Sequence, residues 1–239
     1  MAAMLALILL GVVTALPAMM GKAKASKSAR ELFAKNRSVN LLALARVALF
    51  GARDVWFVVG VPVFLYASGW TFTMVGTFLA AWTIGYGLVQ AAAPSFVRRS
   101  RDGLSSEVPA ARIWSLGLAC IPFAIAALLT SGTGLRPDLV LVVGLSLFGF
   151  AFAVNSSVHS YLILAYAGSE KSAEDVGFYY AANALGRFTG TLLSGLLYQA
   201  GGLHACLLGS GLMLMACFIA TMALPTLKEP QPLGDRAPL

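Results

Sequence analysis

The chain has 239 residues, of which 59% are hydrophobic and only 11% are charged. Soluble domains contain about 45–50% apolar residues, so the composition excludes a soluble globular protein and predicts an all-α polytopic membrane protein. The net charge of +7 would also suit a nucleic-acid binder, but the basic residues cluster in short segments between apolar runs, as in cytoplasmic loops. We therefore expect a lipid bilayer around the chain and no nucleic acid as a partner.

Apolar runs of membrane-spanning length recur along the chain and are separated by Gly, Pro or charged clusters. Seven spans are predicted, at residues 2–20, 40–67, 70–93, 112–130, 138–166, 176–199 and 203–224. Residues 21–39 carry six Lys or Arg against Glu31 alone. This segment is predicted to be a basic cytoplasmic linker, and alternation of the spans then places the tail, residues 225–239, on the cytoplasmic side as well.

One span, a basic linker and six further spans look like the last helix of one half of a longer protein joined to a complete second half. We therefore divide the chain into the last transmembrane helix of an N-terminal half (1–20), the linker (21–39), a C-terminal six-helix half (40–224) and a tail (225–239). On this division we expect the chain to be a piece of a longer protein.

Arginines lie at the midpoints of two predicted spans, Arg53 in the second and Arg187 in the sixth. A charge at the bilayer centre costs about 2.5–3.5 kcal/mol, so such residues usually face a bundle interior or an aqueous cavity. Guanidinium groups bind carboxylate and phosphate bidentately, which favours an anion site. The alternative is structural, with each arginine bound to backbone carbonyls or to Asp54. Arg46, two turns before Arg53, could equally snorkel to the cytoplasmic end.

Further polar residues follow helical spacing in these spans. Asn183 and Tyr179 precede Arg187 at intervals of one turn each, and Asn155 and His159 are one turn apart in the fifth predicted span. We expect these helices to converge, so that Asn155, Asn183 and Tyr179 orient an anion held by the arginines.

Asp54 is the only acid deep in any predicted span. It is rotated by about 100° from Arg53 along a helix, so we expect the two not simply to neutralise each other. Two roles stay open for Asp54, proton coupling or a salt bridge with an arginine. His159 is the second candidate for proton coupling, because histidine titrates near neutral pH; the alternative is a packed, satisfied side chain.

Small residues recur at Gly186, Gly190 and Ser194, a spacing that permits close helix packing. The cysteines lie in apolar runs without metal-ligand spacing, which predicts packing roles for Cys120, Cys206 and Cys217. The sequence contains no HExxH or Walker A motif. We expect neither an enzyme nor a bound cofactor or metal.

Four long stretches carry a family resemblance: "LFGARDVWFVVGVPVFLY", "WTIGYGLVQAAAP", "HSYLILAYAGSEKSAEDVGFYYAANALGR" and "GTLLSGLLYQ". They resemble the organoarsenical efflux permeases of the major facilitator superfamily, over most of residues 30–224. The resemblance implies a twelve-helix transporter whose first five helices this chain lacks. It further implies export of 1-arseno-3-phosphoglycerate from the bacterial inner membrane, arsenate resistance, and a functional link to the glyceraldehyde-3-phosphate dehydrogenase that makes the compound.

Two alternatives stay open at the level of sequence. The chain could export another organic anion or a drug by the same fold. From a different class, it could be a non-transporting membrane scaffold or assembly partner, in which case the midplane arginines should tolerate replacement by leucine.

Overall fold

The computed structural model describes residues 36–97, 100–132, 134–167 and 172–226. This part of the chain is all-helical and contains α1 (Arg37–Phe57), α2 (Gly60–Ala67), α3 (Phe72–Ala92), a 3₁₀ turn (Ala93–Ser95), α4 (Glu107–Thr130), α5 (Pro137–Tyr166) and α6 (Ser172–Met222). With α1 and α2 counted as one segment, five segments here are long and apolar enough to cross a membrane. The prediction of an all-helical chain with several apolar helices of membrane-spanning length is confirmed for these residues.

Helix bounds follow the predicted spans closely, except that α4 begins five residues before the predicted start at 112. Arg112 therefore lies inside α4, where it donates hydrogen bonds to the carbonyls of Thr221, Met222 and Leu224 at the end of α6. The predicted first span, residues 21–35 of the predicted linker and residues 227–239 of the tail lie outside the described residues.

The second predicted span is broken between α1 and α2. Pro62 explains the break, because it has no N–H and its ring excludes the carbonyl four residues earlier, at Val58. At the break, the N–H of Val59 donates to the Ser194 hydroxyl of α6, at 3.1 Å. A side chain of the neighbouring helix thus satisfies one backbone donor at the break.

Helix α6 contains 51 residues, which at 1.5 Å per residue is more than twice the roughly 30 Å hydrocarbon core. Gly201 and Gly202 are non-helical, with Gly202 at a φ of +62° that favours glycine. The chain reverses there, because the Cys206 thiol lies 3.6 Å from the Ser194 carbonyl oxygen, whereas twelve residues of straight helix span about 18 Å. We call residues 172–200 the first arm and residues 203–222 the second arm. The predicted turn at 200–202 is confirmed.

Helices α1 and α6 cross with their backbones in contact. A Cβ on Gly190 would lie 2.4 Å from the Gly51 carbonyl oxygen, and a Cβ on Gly186 would lie 2.4 Å from the Val47 carbonyl oxygen. Ser194 completes the series with its bond to α2's preceding residue, Val59. The predicted close packing through these small residues is confirmed, and it fixes α1 against the first arm of α6.

The helices differ strongly in how far they are buried. In their most apolar stretches, 56% of the α1–α2 segment is buried but only 11% of α3. An aromatic cluster fills the interior between α1, α3 and α5, with Trp56 edge-on to both Trp82 and Phe148. Trp82 also donates to the Leu145 carbonyl, at 2.7 Å. Helix α3 is thus tied to the bundle by one face only.

Candidate functional site

The Asp54 carboxylate is shared by two arginines from different helices. Its Oδ1 accepts from Arg53 Nε at 2.6 Å, and its Oδ2 accepts from Arg187 Nε at 3.3 Å. The carboxylate is almost fully buried, at 2% exposure. We call Arg53, Asp54 and Arg187 the outer cluster. It joins α1 to the first arm of α6 and carries a net charge of +1.

The expectation that Arg53 and Asp54 do not neutralise each other is wrong in this structure. The two Cα–Cβ directions differ by about 100° on the helix, but the long arginine side chain bends round the helix surface far enough for its Nε to reach the carboxylate. The salt-bridge role left open for Asp54 is therefore present, with two partners instead of one.

The two arginines of the outer cluster differ in exposure. Arg53 is 13% exposed in its side chain, and its guanidinium lies 5.3 Å from the Phe50 ring centroid and 5.6 Å from that of Phe152, within cation–π range. Arg187 is 60% exposed in its side chain and has the exposed Phe188 as its neighbour on the first arm. The outer cluster therefore opens to the surroundings through Arg187 and is closed by aromatic rings behind Arg53.

Arg46 lies in a separate, buried cluster. It is only 4% exposed, and its NH1 donates to the Ser156 carbonyl at 3.1 Å and to the Ser156 hydroxyl at 3.0 Å. The guanidinium stands 4.0 Å from the Phe50 ring centroid and 4.8 Å from that of Tyr179. Arg46 does not snorkel, because its side chain points between the helices. It has no carboxylate partner within the described ranges.

Tyr179 and His159 belong with Arg46, and we call these three residues the inner cluster. Both side chains are fully buried. His159 lies one turn after Ser156 on α5 and is close enough to Arg46 for their charges to interact. Within the described part of the chain, the Tyr179 hydroxyl and both His159 ring nitrogens have no hydrogen-bond partner.

The two asparagines are placed less favourably for an anion at the outer cluster. Asn155 is fully buried and donates to the Ser115 hydroxyl of α4 at 3.1 Å. Asn183 is half-buried on the first arm, one turn before Arg187, with its Oδ1 unpartnered among the described residues. The predicted convergence of all these residues on one point is not seen. The arginines, Asp54, Tyr179 and His159 divide instead between an outer and an inner cluster, and the two asparagines belong to neither.

Phe50 links the two clusters, since its ring contacts the guanidinium groups of both Arg46 and Arg53. The sequence contains the signal for this arrangement: Arg46, Phe50 and Arg53 follow the i, i+4, i+7 spacing of one helix face. Ser156 carried no such signal, because a serine in an apolar helix is common and its partner is more than one hundred residues away.

Metal ligation has no evident place in the described ranges, which contain no group of three or more His, Cys, Asp or Glu side chains that could hold an ion. The free thiols of Cys206 and Cys217 are buried, and that of Cys120 is exposed.

The charges at these clusters do not balance. The two clusters together contain three guanidinium groups, on Arg46, Arg53 and Arg187, but one carboxylate, that of Asp54, which pairs with Arg53 and Arg187 only. A site with excess positive charge among apolar helices is suited to attract and hold an anion. Comparison with known proteins finds no family model, curated protein or solved structure that matches this chain.

Proposed function

We propose that the chain is part of a secondary-active exporter of an anionic organoarsenical, 1-arseno-3-phosphoglycerate, in the bacterial inner membrane. Its residues 40–224 would form the C-terminal six-helix half of a major facilitator superfamily transporter, preceded by the last helix of the other half. The four stretches quoted above support this proposal, as do the membrane-length segments between α1 and the second arm of α6. A functional link to a glyceraldehyde-3-phosphate dehydrogenase and arsenate resistance follow from it.

The observation that carries the proposal is the buried carboxylate shared between two guanidinium groups. A phosphate or arsenate group offers the same oxygen acceptors as Asp54 and competes for the same donors. Arg187 is the exposed partner, so an incoming anion meets it first. Arg53 then adds a second guanidinium behind it.

Proton coupling follows from the same competition. Protonation of Asp54 would remove its charge and release Arg53 and Arg187 to the anion, and loss of that proton would restore the ion pairs and displace the anion. The proton would then leave together with the anion, so that the membrane potential, and not the inward proton gradient, would drive export. Asp54 is therefore our first choice for the coupling residue. His159, which interacts with Arg46 in the inner cluster, is the second. The membrane potential favours exit of the anion by about 2.3 kcal/mol per charge per 100 mV.

The neutral polar residues have supporting roles in this scheme. Asn183 lies one turn before Arg187 on the first arm, where its side-chain NH₂ is the group that would donate to an anion at the outer cluster. Asn155 and Tyr179 lie deeper, on the far side of the Phe50 contact, and act on an anion only after it has moved past the outer cluster.

The test is growth in arsenate of arsenate-sensitive cells that express the full chain, together with any other half it requires and the dehydrogenase. Arg53→Ala and Arg187→Ala should each lower resistance at least tenfold, because each removes one of two guanidinium donors to the anion. Arg136→Gln is the matched control: it also pairs with an aspartate, Asp138, but its side chain is 78% exposed at the start of α5.

Undiminished resistance in both alanine variants, at normal expression, would remove these arginines from the binding site. If they tolerate leucine and lose only stability, a scaffold role is favoured instead. If resistance to arsenate is absent from the start, accumulation of labelled anionic metabolites in everted vesicles identifies an exporter of another substrate.

A further inference from the structure

A groove runs between α2 and α3 on the surface of the bundle. Its volume is about 440 Å³, within the range of small-molecule binding sites. The surface of the groove is almost entirely carbon. The residues that line it include Pro62, Val63 and Tyr66 of α2 and Phe72, Gly76 and Leu79 of α3.

Gly76 keeps the groove open. It lies on the α3 wall, and a Cβ built at this position would meet nothing within 4 Å. Every other residue type would put side-chain atoms into this space. The opening between the two helices therefore depends on a glycine, and a larger side chain at position 76 would fill it without a clash at its Cβ.

The groove is confined to one end of the two membrane-length segments. Tyr66 is one residue from the end of α2, and Phe72 is the first residue of α3. From Phe72 to Leu79 helix α3 rises about 10 Å, a third of the roughly 30 Å hydrocarbon core. One turn further, Trp82 lies across the space, with its ring centroid 5.1 Å from that of Phe57. The groove is thus blind and belongs to one leaflet.

This chemistry and shape select one class of occupant. A polar or charged compound would meet almost no polar surface in the groove. A partner helix is about 10–12 Å wide and crosses the whole bilayer, so it does not fit into a blind space that is two turns long. An acyl chain is narrow, flexible and apolar, and the bilayer supplies it at this depth. It also restores the dispersion contacts that the lining atoms lose beside an empty space.

We propose that the groove between α2 and α3 binds one acyl chain of a membrane phospholipid. The headgroup lies at the level of the turn between the two helices, where Tyr66 and Trp70 occupy the interfacial position typical of membrane aromatic residues. The bound chain packs α3, which is buried over only 11% of its most apolar stretch, against α2. This site is independent of the compound that the chain exports.

The test uses the full chain in lipid nanodiscs that contain a phospholipid with a photoreactive diazirine at the middle of one acyl chain. After illumination, mass spectrometry measures the labelling of residues 62–79. The reference is the lipid-accessible surface around Leu212 and Ile219 on the second arm, which are 65% and 64% exposed. Residues 62–79 should be labelled about threefold more than this reference, because a chain in the groove stays at van der Waals distance from its walls.

Gly76→Leu should lower the labelling of residues 62–79 to the level of the reference, because the leucine occupies the groove. Gly85→Leu is the matched control on the same helix: a Cβ there also meets nothing within 4 Å, and Gly85 does not line the groove. Its labelling should stay at that of the natural protein. If Gly76→Leu does not fold, Val63→Phe fills the groove from the α2 wall and should give the same decrease.

Three results would overturn the proposal. Labelling of residues 62–79 equal to the reference in the natural protein would mean that lipid contacts the groove no more than any other exposed surface. Labelling below the reference would mean that protein covers the groove. Labelling above the reference that the filling variants leave unchanged would come from outside the groove.

Discussion

Arg46 and Arg187 are both guanidinium groups on apolar helices, but their surroundings are opposite. Arg46 is 4% exposed, lies between aromatic rings and has no carboxylate among the described residues. Arg187 is 60% exposed in its side chain and shares the buried carboxylate of Asp54. The more exposed arginine is thus the one with a counter-ion. This inverts the usual expectation that a buried charge is paired and an exposed one is solvated.

The difference shows that depth along a helix and direction around it are separate properties. By position along the predicted spans, Arg187 lies at the middle of its span and Arg46 lies towards the end of its own. Side-chain burial follows the direction of each residue around its helix instead. Arg46 points between α1, α5 and α6 and is buried, whereas Arg187 lies on the outer side of the first arm and is exposed. In the proposed function, an anion reaches the guanidinium of Arg187 only by exchange with the Asp54 carboxylate.

The largest expected effect concerns the crossing that brings the outer cluster together. Gly190→Leu places a side chain against the Gly51 carbonyl, where even a Cβ would approach to 2.4 Å. We expect a loss of about 4–5 kcal/mol and little folded protein, through overpacking against backbone. Fluorescence-detected size exclusion measures it. Gly195→Leu on the same arm is the control, since a Cβ there meets no neighbour within 4 Å; equal losses would contradict a specific crossing.

Asp54→Asn is expected to have the next largest effect. It leaves the nearly buried Arg53 guanidinium without its carboxylate, which costs about 3 kcal/mol, as in other broken buried pairs. Thermal unfolding in detergent measures this loss. Asp138→Asn breaks an exposed pair with Arg136 and should change stability far less. If the two variants unfold alike, the buried position of Asp54 has no energetic importance.

Arg187→Gln should separate stability from function. Because the Arg187 side chain is mostly exposed, its ion pair contributes about 0.2–1 kcal/mol, so the variant should fold almost normally. Proposed binding of the anion should nevertheless fall strongly. A Tm within a few degrees of the natural protein, combined with lost arsenate resistance, is the expected result. A large drop in Tm would instead make Arg187 a structural residue.

The smallest effect is expected at the loop between α3 and α4. Hydrogen bonds from Ser100, Ser105 and the Leu104 N–H lower the pKa of Asp102 below its ordinary value. A lowered folded-state pKa gives stability that is present above the unfolded value of about 3.9 and is lost as pH falls below it. Asp102→Asn should therefore abolish a small decline in Tm below about pH 4. An unchanged pH profile would show that these bonds are absent in solution.

The helices and their turns were predictable from the sequence because they follow from apolar length and from Gly and Pro positions. The turn at Gly201–Gly202 and the close packing at Gly190 are both local signals with one geometric meaning. The break at Val58–Val59 could also have been inferred from Pro62, four residues later. The spans could thus be predicted from apolar length, and the turn and the close packing from local backbone sterics, without knowledge of the tertiary structure.

The candidate site was predictable only in its residue types. Arg53, Asp54 and Arg187 were identified as intramembrane charges, but their joint ion pair depends on how α1 meets α6. The burial of Arg46 depends on Ser156 and Tyr179, which come from other helices. Side-chain direction is set by the neighbours that pack around it. Spacing along one helix does not contain that information.

The backbone contact between α1 and α6 has a mechanical consequence. With carbonyl oxygens of one helix lying against glycines of the other, no layer of side chains remains that could slide or repack between them. This contact holds α1 closely against the first arm of α6, and Arg53, Asp54 and Arg187 all lie on these two elements. Any opening of a path to these charges must then come from elements that are held more loosely, and α3, buried over only 11% of its most apolar stretch, is the least tightly held.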